Sequence, residues 1–195
     1  GKPLWTFATR PCEVLYLCLE DSFQRIQSRL FDLTEDAPPT LHFAVMSQQL
    51  HNGLVEQIEQ FLKEHPQTRL IVIDTLQRIR TAGNDANAYA SDYRDIGVLK
   101  ALADKHRIAI LLVHHLLKMN DDDPMNMISG TTGLSGATDS NFVLRKSQRR
   151  ENTATLYCTG RDIPYRELAL EFDGEDHVWK LLSDDCEQTE QPTER

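Results

Sequence analysis

Three polar groups suited to phosphoanhydride chemistry each follow a short apolar run. Residues 14–19 (VLYLCL) lead into Glu20, residues 70–73 (LIVI) into Asp74-Thr75, and residues 108–113 (IAILLV) into His114-His115. Hydrolysis of a phosphate anhydride needs a carboxylate to polarise water, a second carboxylate for a metal, and a polar sensor of phosphate. Mg²⁺ keeps several waters and meets phosphates through one or two carboxylates, so Asp74 with the Thr75 hydroxyl beside it suits that ion. Each group alone has a plainer reading: Asp74 as a helix cap and Glu20 as a solvated turn residue. Convergence of all three on one edge is what would make the chemistry specific. Adjacent strand residues point to opposite faces, so His114 and His115 do not share one ion. One packs or caps and the other senses; the sequence leaves open which.

The elements that must position these groups follow from periodicity. An unbroken apolar run is a strand covered on both faces, as in a parallel sheet flanked by helices. Between the runs, helical spacing sets Phe23, Ile26, Leu30 and Leu33 on one stripe, behind a capping box of Asp21 and Gln24. A second helix carries Leu54, Val55, Ile58, Phe61 and Leu62, and a third Tyr89, Tyr93, Ile96, Leu99 and Ala103. With a further strand at 41–45, the order alternates strand and helix. Right-handed crossovers then give a mainly parallel, doubly wound α/β sheet, with Glu20, Asp74 and His114 or His115 at its carboxyl edge. From residue 141 the pattern changes to four strands, 141–145, 153–159, 167–172 and 177–182. Polar turns between them predict antiparallel hairpins that extend the same sheet. The expected organisation is a connection over 1–13, a core over 14–182 and a disordered acidic tail over 183–195.

Composition narrows the class. A chain of 195 residues accommodates one sizeable α/β domain. A net charge of −9 and a pI near 5.2 argue against a free-standing DNA-coating protein. No apolar run approaches the ~20 residues of a membrane helix and no signal peptide is visible, so a cytoplasmic location without membrane contact is expected. The four cysteines lack CxxC spacing; Cys18 and Cys158 lie in apolar runs and read as buried, reduced thiols. Asp121-Asp122-Asp123 lacks the glycine and terminal glutamate of a Ca²⁺ loop and reads as solvated. Residues 129–139 (SGTTGLSGATD) read as a mobile loop whose Thr131, Thr132 and Ser135 could meet a nucleic-acid backbone. Arg145, Lys146, Arg149 and Arg150 form a dense basic cluster, either a solvated hairpin tip or a phosphate contact. Arg161, beyond a strand end, is either a surface ion pair or a stabiliser of charge on a neighbour's nucleotide.

Taken together, LYLCLEDS, LIVIDTLQRIR, ILLVHH, SGTTGLSGATD and CTGRDI resemble the RepA-type ATPases of the RecA superfamily, relatives of hexameric replicative helicases. The resemblance runs in order over residues 11–172. It implies a RecA-like three-layer fold, ATP and Mg²⁺ as cofactors, single-stranded DNA as partner, a homo-hexameric ring and a role in replication or on mobile elements. Residue by residue, it implies that Glu20 polarises water, Asp74 is the Walker B acid, His114 or His115 is the sensor and Arg161 is a finger arginine. The Gly/Ser/Thr stretch would face a DNA channel. The family's Walker A element, GxxxxGK[ST], does not occur in these residues; Gly1-Lys2 is followed by Pro and has no glycine-rich lead-in. The reading is therefore the C-terminal majority of such an ATPase, truncated at its N-terminus and expected to bind ATP poorly by itself, since the P-loop supplies the anchoring N–H groups. Two alternatives stand against it. One is a non-catalytic DNA-binding or assembly module that has lost the P-loop; the other is a phosphohydrolase using Glu20 and Asp74 without ATP.

Overall fold

The apolar runs become strands of a parallel sheet, those of 14–19 and 70–73 at its centre and that of 108–113, expected as a buried strand, at an edge where Leu111 is exposed. In the computed structural model, which describes residues 1–80, 88–117, 121–128, 132–146, 148 and 150–186, the strands are β1 (Glu13–Cys18), β2 (Leu41–Ala44), β3 (Thr68–Asp74) and β4 (Ala109–Val113). All pair in parallel, in the order β2-β1-β3-β4. In β3 Ile71 and Ile73 on one face and Val72 on the other are all buried, as a strand with both faces covered requires. The helices are α1 (Phe23–Leu33), α2 (Leu54–Glu64), α3 (Leu76–Ile79) and α4 (Ala88–His106). On α2, Leu54, Ile58 and Leu62 repeat every fourth residue and are all buried. Gly53 begins α2 with φ 102°, a left-handed conformation that a residue without Cβ adopts at little cost.

Two helices differ from their expected faces. Ser22, not Asp21, caps α1 by accepting from the Arg25 N–H; Asp21 instead pairs with Arg25 and Arg29 at 3.2 and 2.6 Å. Of the expected stripe only Ile26 is buried, while Phe23 and Leu33 are exposed. On α4 the inward face is Asp92, Asp95, Ile96, Leu99 and Leu102, and Tyr89 and Tyr93 stack on each other outside. The reason is Arg80, which follows α3. Its Nη2 donates to Asp92 Oδ1 at 2.7 Å and its Nε forms an ion pair with Asp95 Oδ2 at 2.9 Å. His51 Nε2 meets the other Asp95 oxygen at 2.7 Å. Carboxylates enter an interior only when paired, and spacing alone gave no sign of that partner.

The chain divides into two compact units, Gly1–His115 and Leu116–Arg195. Among its described residues the second holds a 3₁₀ turn (Pro124–Met127), α5 (Thr132–Ala137), and the antiparallel strands β5 (Ser140–Arg145), β6 (Thr153–Gly160), β7 (Arg166–Asp173) and β8 (Val178–Cys186). Among the described residues these strands bond only within their own set, in sequential order. A parallel sheet and antiparallel hairpins are both present, as the sequence indicates, and among the described residues their ladders form two four-stranded sets. Val143, Ala154, Cys158, Leu168 and Leu170 form the core of the antiparallel set, and Phe142 and Leu144 alternate outward on β5. Such one-sided covering is ordinary for antiparallel sheets. The Asp121–Asp123 run caps the 3₁₀ turn: Asp123 accepts from Met125 N, and Asp121 from Asp123 N and Asn126 Nδ2. Part of the stretch expected as a mobile loop is helical, since Leu134 and Ala137 lie a turn apart and both are buried. No described helix is long and apolar enough to cross a membrane.

Candidate active site

From β1 the chain moves to one side to form β2, then to the other side of β1 for β3. The crevice at the carboxyl ends of β1 and β3 is therefore the topological switch point, where open α/β sheets bind ligands. Cys18 and Asp74 are register partners there, and Leu19 N donates to Asp74 O at 2.7 Å. Glu20 thus leaves β1 beside the residue that ends β3. The Asp74-Thr75 peptide is cis. Thr75, buried, donates its hydroxyl to Glu20 Oε1 at 3.0 Å. His115 Nε2 lies 3.9 Å from Glu20 Oε2, so His115 is the histidine that meets Glu20, and His114 is its half-buried neighbour. Arg78 Nε donates to Leu19 O at 3.1 Å, bracing the turn.

Glu20 keeps one oxygen fixed by Thr75 while its side chain remains 46% exposed. An oriented carboxylate with solvent access is the arrangement that polarises a water molecule. Asp74 has one oxygen fixed too, for Tyr16 donates its phenol to Asp74 Oδ2 at 3.0 Å. Tyr16 was not singled out from sequence, although a signal existed. It is opposite Val72 in register, so Asp74, two residues further along β3, lies on the same face, and a strand-buried phenol needs a polar partner.

Burial, then the Asp74 charge and the hydrogen bond to it, hold the Tyr16 phenol well above its ordinary range. Burial likewise pushes the Cys18 thiol up to about 11, with Asp74 adding to it; Cys18 is thus a thiol and not a nucleophile near neutrality. Both shifts mean that the folded state keeps protons the unfolded chain releases. Their stabilising contribution is whole below the ordinary values of 9.0 and 10.0 and is lost as pH rises beyond them. The urea midpoint is expected to fall with pH in that alkaline range, and Tyr16→Phe should flatten the part of the fall above pH 10.0. Equal slopes in the two proteins would remove Tyr16 as the cause.

The other candidate residues belong to the second unit. Arg161 N donates to Asp139 O at 2.9 Å. A Cβ at Gly160 would stand 2.7 Å from that same oxygen, so only glycine permits the approach. The exposed guanidinium is loosely held, with Nη2 3.4 Å from Gly136 O and Nη1 3.8 Å from Asp139 Oδ1. Thr132 is exposed at the start of α5, and the Ser135 hydroxyl donates back to Thr132 O at 3.5 Å. Arg150 is exposed; Thr131 and Arg149 lie outside the described residues. Lys146 is tied to its hairpin, over the Trp179 ring at 5.5 Å and donating to Glu151 O.

A parallel sheet accompanied by antiparallel strands matches the fold of RecA-like ATPase domains. A solved structure described as an ATPase domain superposes with a TM-score of 0.72 at 15% identity, over 88% of this chain and 75% of that one. A DnaB-like replicative helicase, described for its interactions with primase, gives 0.69 at 16% identity over 87% of this chain and 50% of its own. The RadB recombinase gives 0.60 at 16% identity over 88% of this chain and 80% of its own. Likeness at such identities is likeness of fold, and the chain spans only half the length of the DnaB-like helicase. Residues 1–121 match the family described as AAA domain, and the chain belongs to that family. No curated protein matches it in sequence.

Proposed function

We propose that this chain is the water-activating and metal-side part of a RepA-type, RecA-like ATPase that couples ATP hydrolysis to single-stranded DNA, with residues 14–182 as one functional core within a hexameric ring. The observation that carries this reading is the hydrogen bond from Thr75 to Glu20 at the switch point between β1 and β3, where the backbone of Leu19 is bonded to Asp74 O. Glu20, oriented by Thr75, accepts the proton of the attacking water. His115, beside Glu20 Oε2, senses the state of the phosphate. Asp74, half-buried and with one oxygen steadied by Tyr16, has the donor chemistry for a Mg²⁺ that keeps its waters. That ion would neutralise charge on phosphate oxygens. Exposed Thr132 and Arg150, with Ser135 and with Thr131 and Arg149 beside them in sequence, supply hydroxyl and guanidinium groups of the kind that contact a DNA backbone without reading bases. Arg161 serves the nucleotide of an adjacent subunit.

The test joins the chain to an upstream GxxxxGK[ST] segment and measures turnover with Mg-ATP. Glu20→Gln should leave nucleotide affinity nearly intact and slow hydrolysis by roughly 10²-fold or more, as loss of a general base does. Turnover at the parental rate would move water activation elsewhere. Absence of turnover in the joined parental protein would favour the binding-module alternative.

A further inference from the structure

We infer that the amino-terminal edge of the parallel sheet, opposite the Glu20–Asp74 crevice, holds a site for one Zn²⁺ formed by Glu13, His42 and His65. The residues come from three separate places: Glu13 begins β1, His42 lies in β2, and His65 caps the end of α2 ahead of β3. Their ligand atoms nevertheless converge, all within 4.8 Å of one another. Glu13 Oε1 stands 3.7 Å from His42 Nε2 and 3.5 Å from His65 Nδ1. These separations exceed hydrogen-bond length, and His42 Nε2 is buried without a hydrogen-bond partner. Bonds of about 2.0–2.2 Å to a tetrahedral Zn²⁺ put neighbouring ligand atoms roughly 3.3–3.6 Å apart. The Glu13–His65 separation of 3.5 Å falls in that range and the Glu13–His42 separation of 3.7 Å lies just beyond it, so with all three atoms within 4.8 Å a shared ion needs only a small inward movement of the side chains.

The rings are also held in place before any ion arrives. Phe61 stacks on His65 at 4.3 Å and meets His42 edge-on at 5.3 Å, while the two imidazoles lie 4.2 Å apart. Such packing lowers the ordering cost of binding. Two imidazoles and one carboxylate favour Zn²⁺ over Mg²⁺ or Ca²⁺, which prefer oxygen alone. All three side chains are part-exposed, so water can complete the shell. The ion would tie β1, β2 and the α2–β3 turn together, and its presence is independent of any ATPase activity.

Calorimetric titration of Zn²⁺ into the chelator-treated full chain, in excess Mg²⁺, should show one saturable site, and bound Zn²⁺ should raise the thermal midpoint. His42→Ala and His65→Ala should each weaken it by at least about tenfold, whereas His177→Gln should leave it unchanged. If a variant fails to fold, the unsubstituted chain still decides the matter by ¹⁵N NMR of its histidines. Zn²⁺ should shift Nε2 of His42 and Nδ1 of His65. No saturable binding, equal binding in the variants, or shifts confined to other histidines would overturn the site.

Discussion

Arg161→Ala is expected to abolish ATP turnover in the chain joined to a GxxxxGK[ST] segment, with little loss of ATP affinity. A finger arginine stabilises charge that develops in the transition state and is worth about 10³-fold or more. Arg161 has the properties such a role demands. Gly160 lets its backbone bind Asp139 O closely, so the residue is anchored at the main chain. Its head is exposed, and its contacts to Asp139 and Gly136 are long; a neighbour's phosphate would displace them at small cost, since exposed pairs of this kind contribute little. The decisive measurement mixes the Arg161→Ala protein with the Glu20→Gln protein, each expected to be strongly impaired alone. A mixed ring contains interfaces that pair an intact Glu20 with an intact Arg161 from the adjacent subunit, so activity should return on mixing. If mixed oligomers form and nothing returns, Arg161 does not act in trans.

Arg80→Ala is expected to cost about 3–5 kcal/mol of stability, the usual penalty for stripping a buried charge pair of one partner. Asp92 and Asp95 are 5% and 4% exposed. Without the guanidinium, Asp92 loses its 2.7 Å donor and Asp95, among the described residues, keeps the contact from His51. Arg80→Lys should recover only part of the loss. The arginine uses two different nitrogens on two different carboxylates, and an ammonium on a flexible stem cannot reproduce that fork. Urea unfolding of the three proteins measures both effects. A loss under about 1 kcal/mol in Arg80→Ala would mean that water reaches the acids and that the network is dispensable.

The strands of the first unit, and which residues stand at their ends, were legible because their signal is local. VLYLCL and LIVID are apolar without a break and take the middle of the sheet, whereas the equally apolar IAILLV forms the edge strand β4, where Leu111 is exposed. Once the strands are parallel, connection handedness puts Glu20, Asp74 and the histidines on one edge with no further information. Which histidine meets Glu20 was not legible, because strand parity says only that the two differ; the end of β4 decides for His115. Thr75 on Glu20, Tyr16 on Asp74 and Arg80 on two acids of α4 are contacts between residues distant in sequence. The stripe Tyr89-Tyr93 is as regular as Asp92-Asp95 is polar, yet the acids are buried and the tyrosines exposed. Periodicity ranks side chains by transfer from water, whereas the folded chain ranks them by the partners they find. The same limit applies to Glu13, His42 and His65. Nothing in their spacing joins them; only the pairing of β1 with β2 and the turn after α2 bring one carboxylate against two imidazoles.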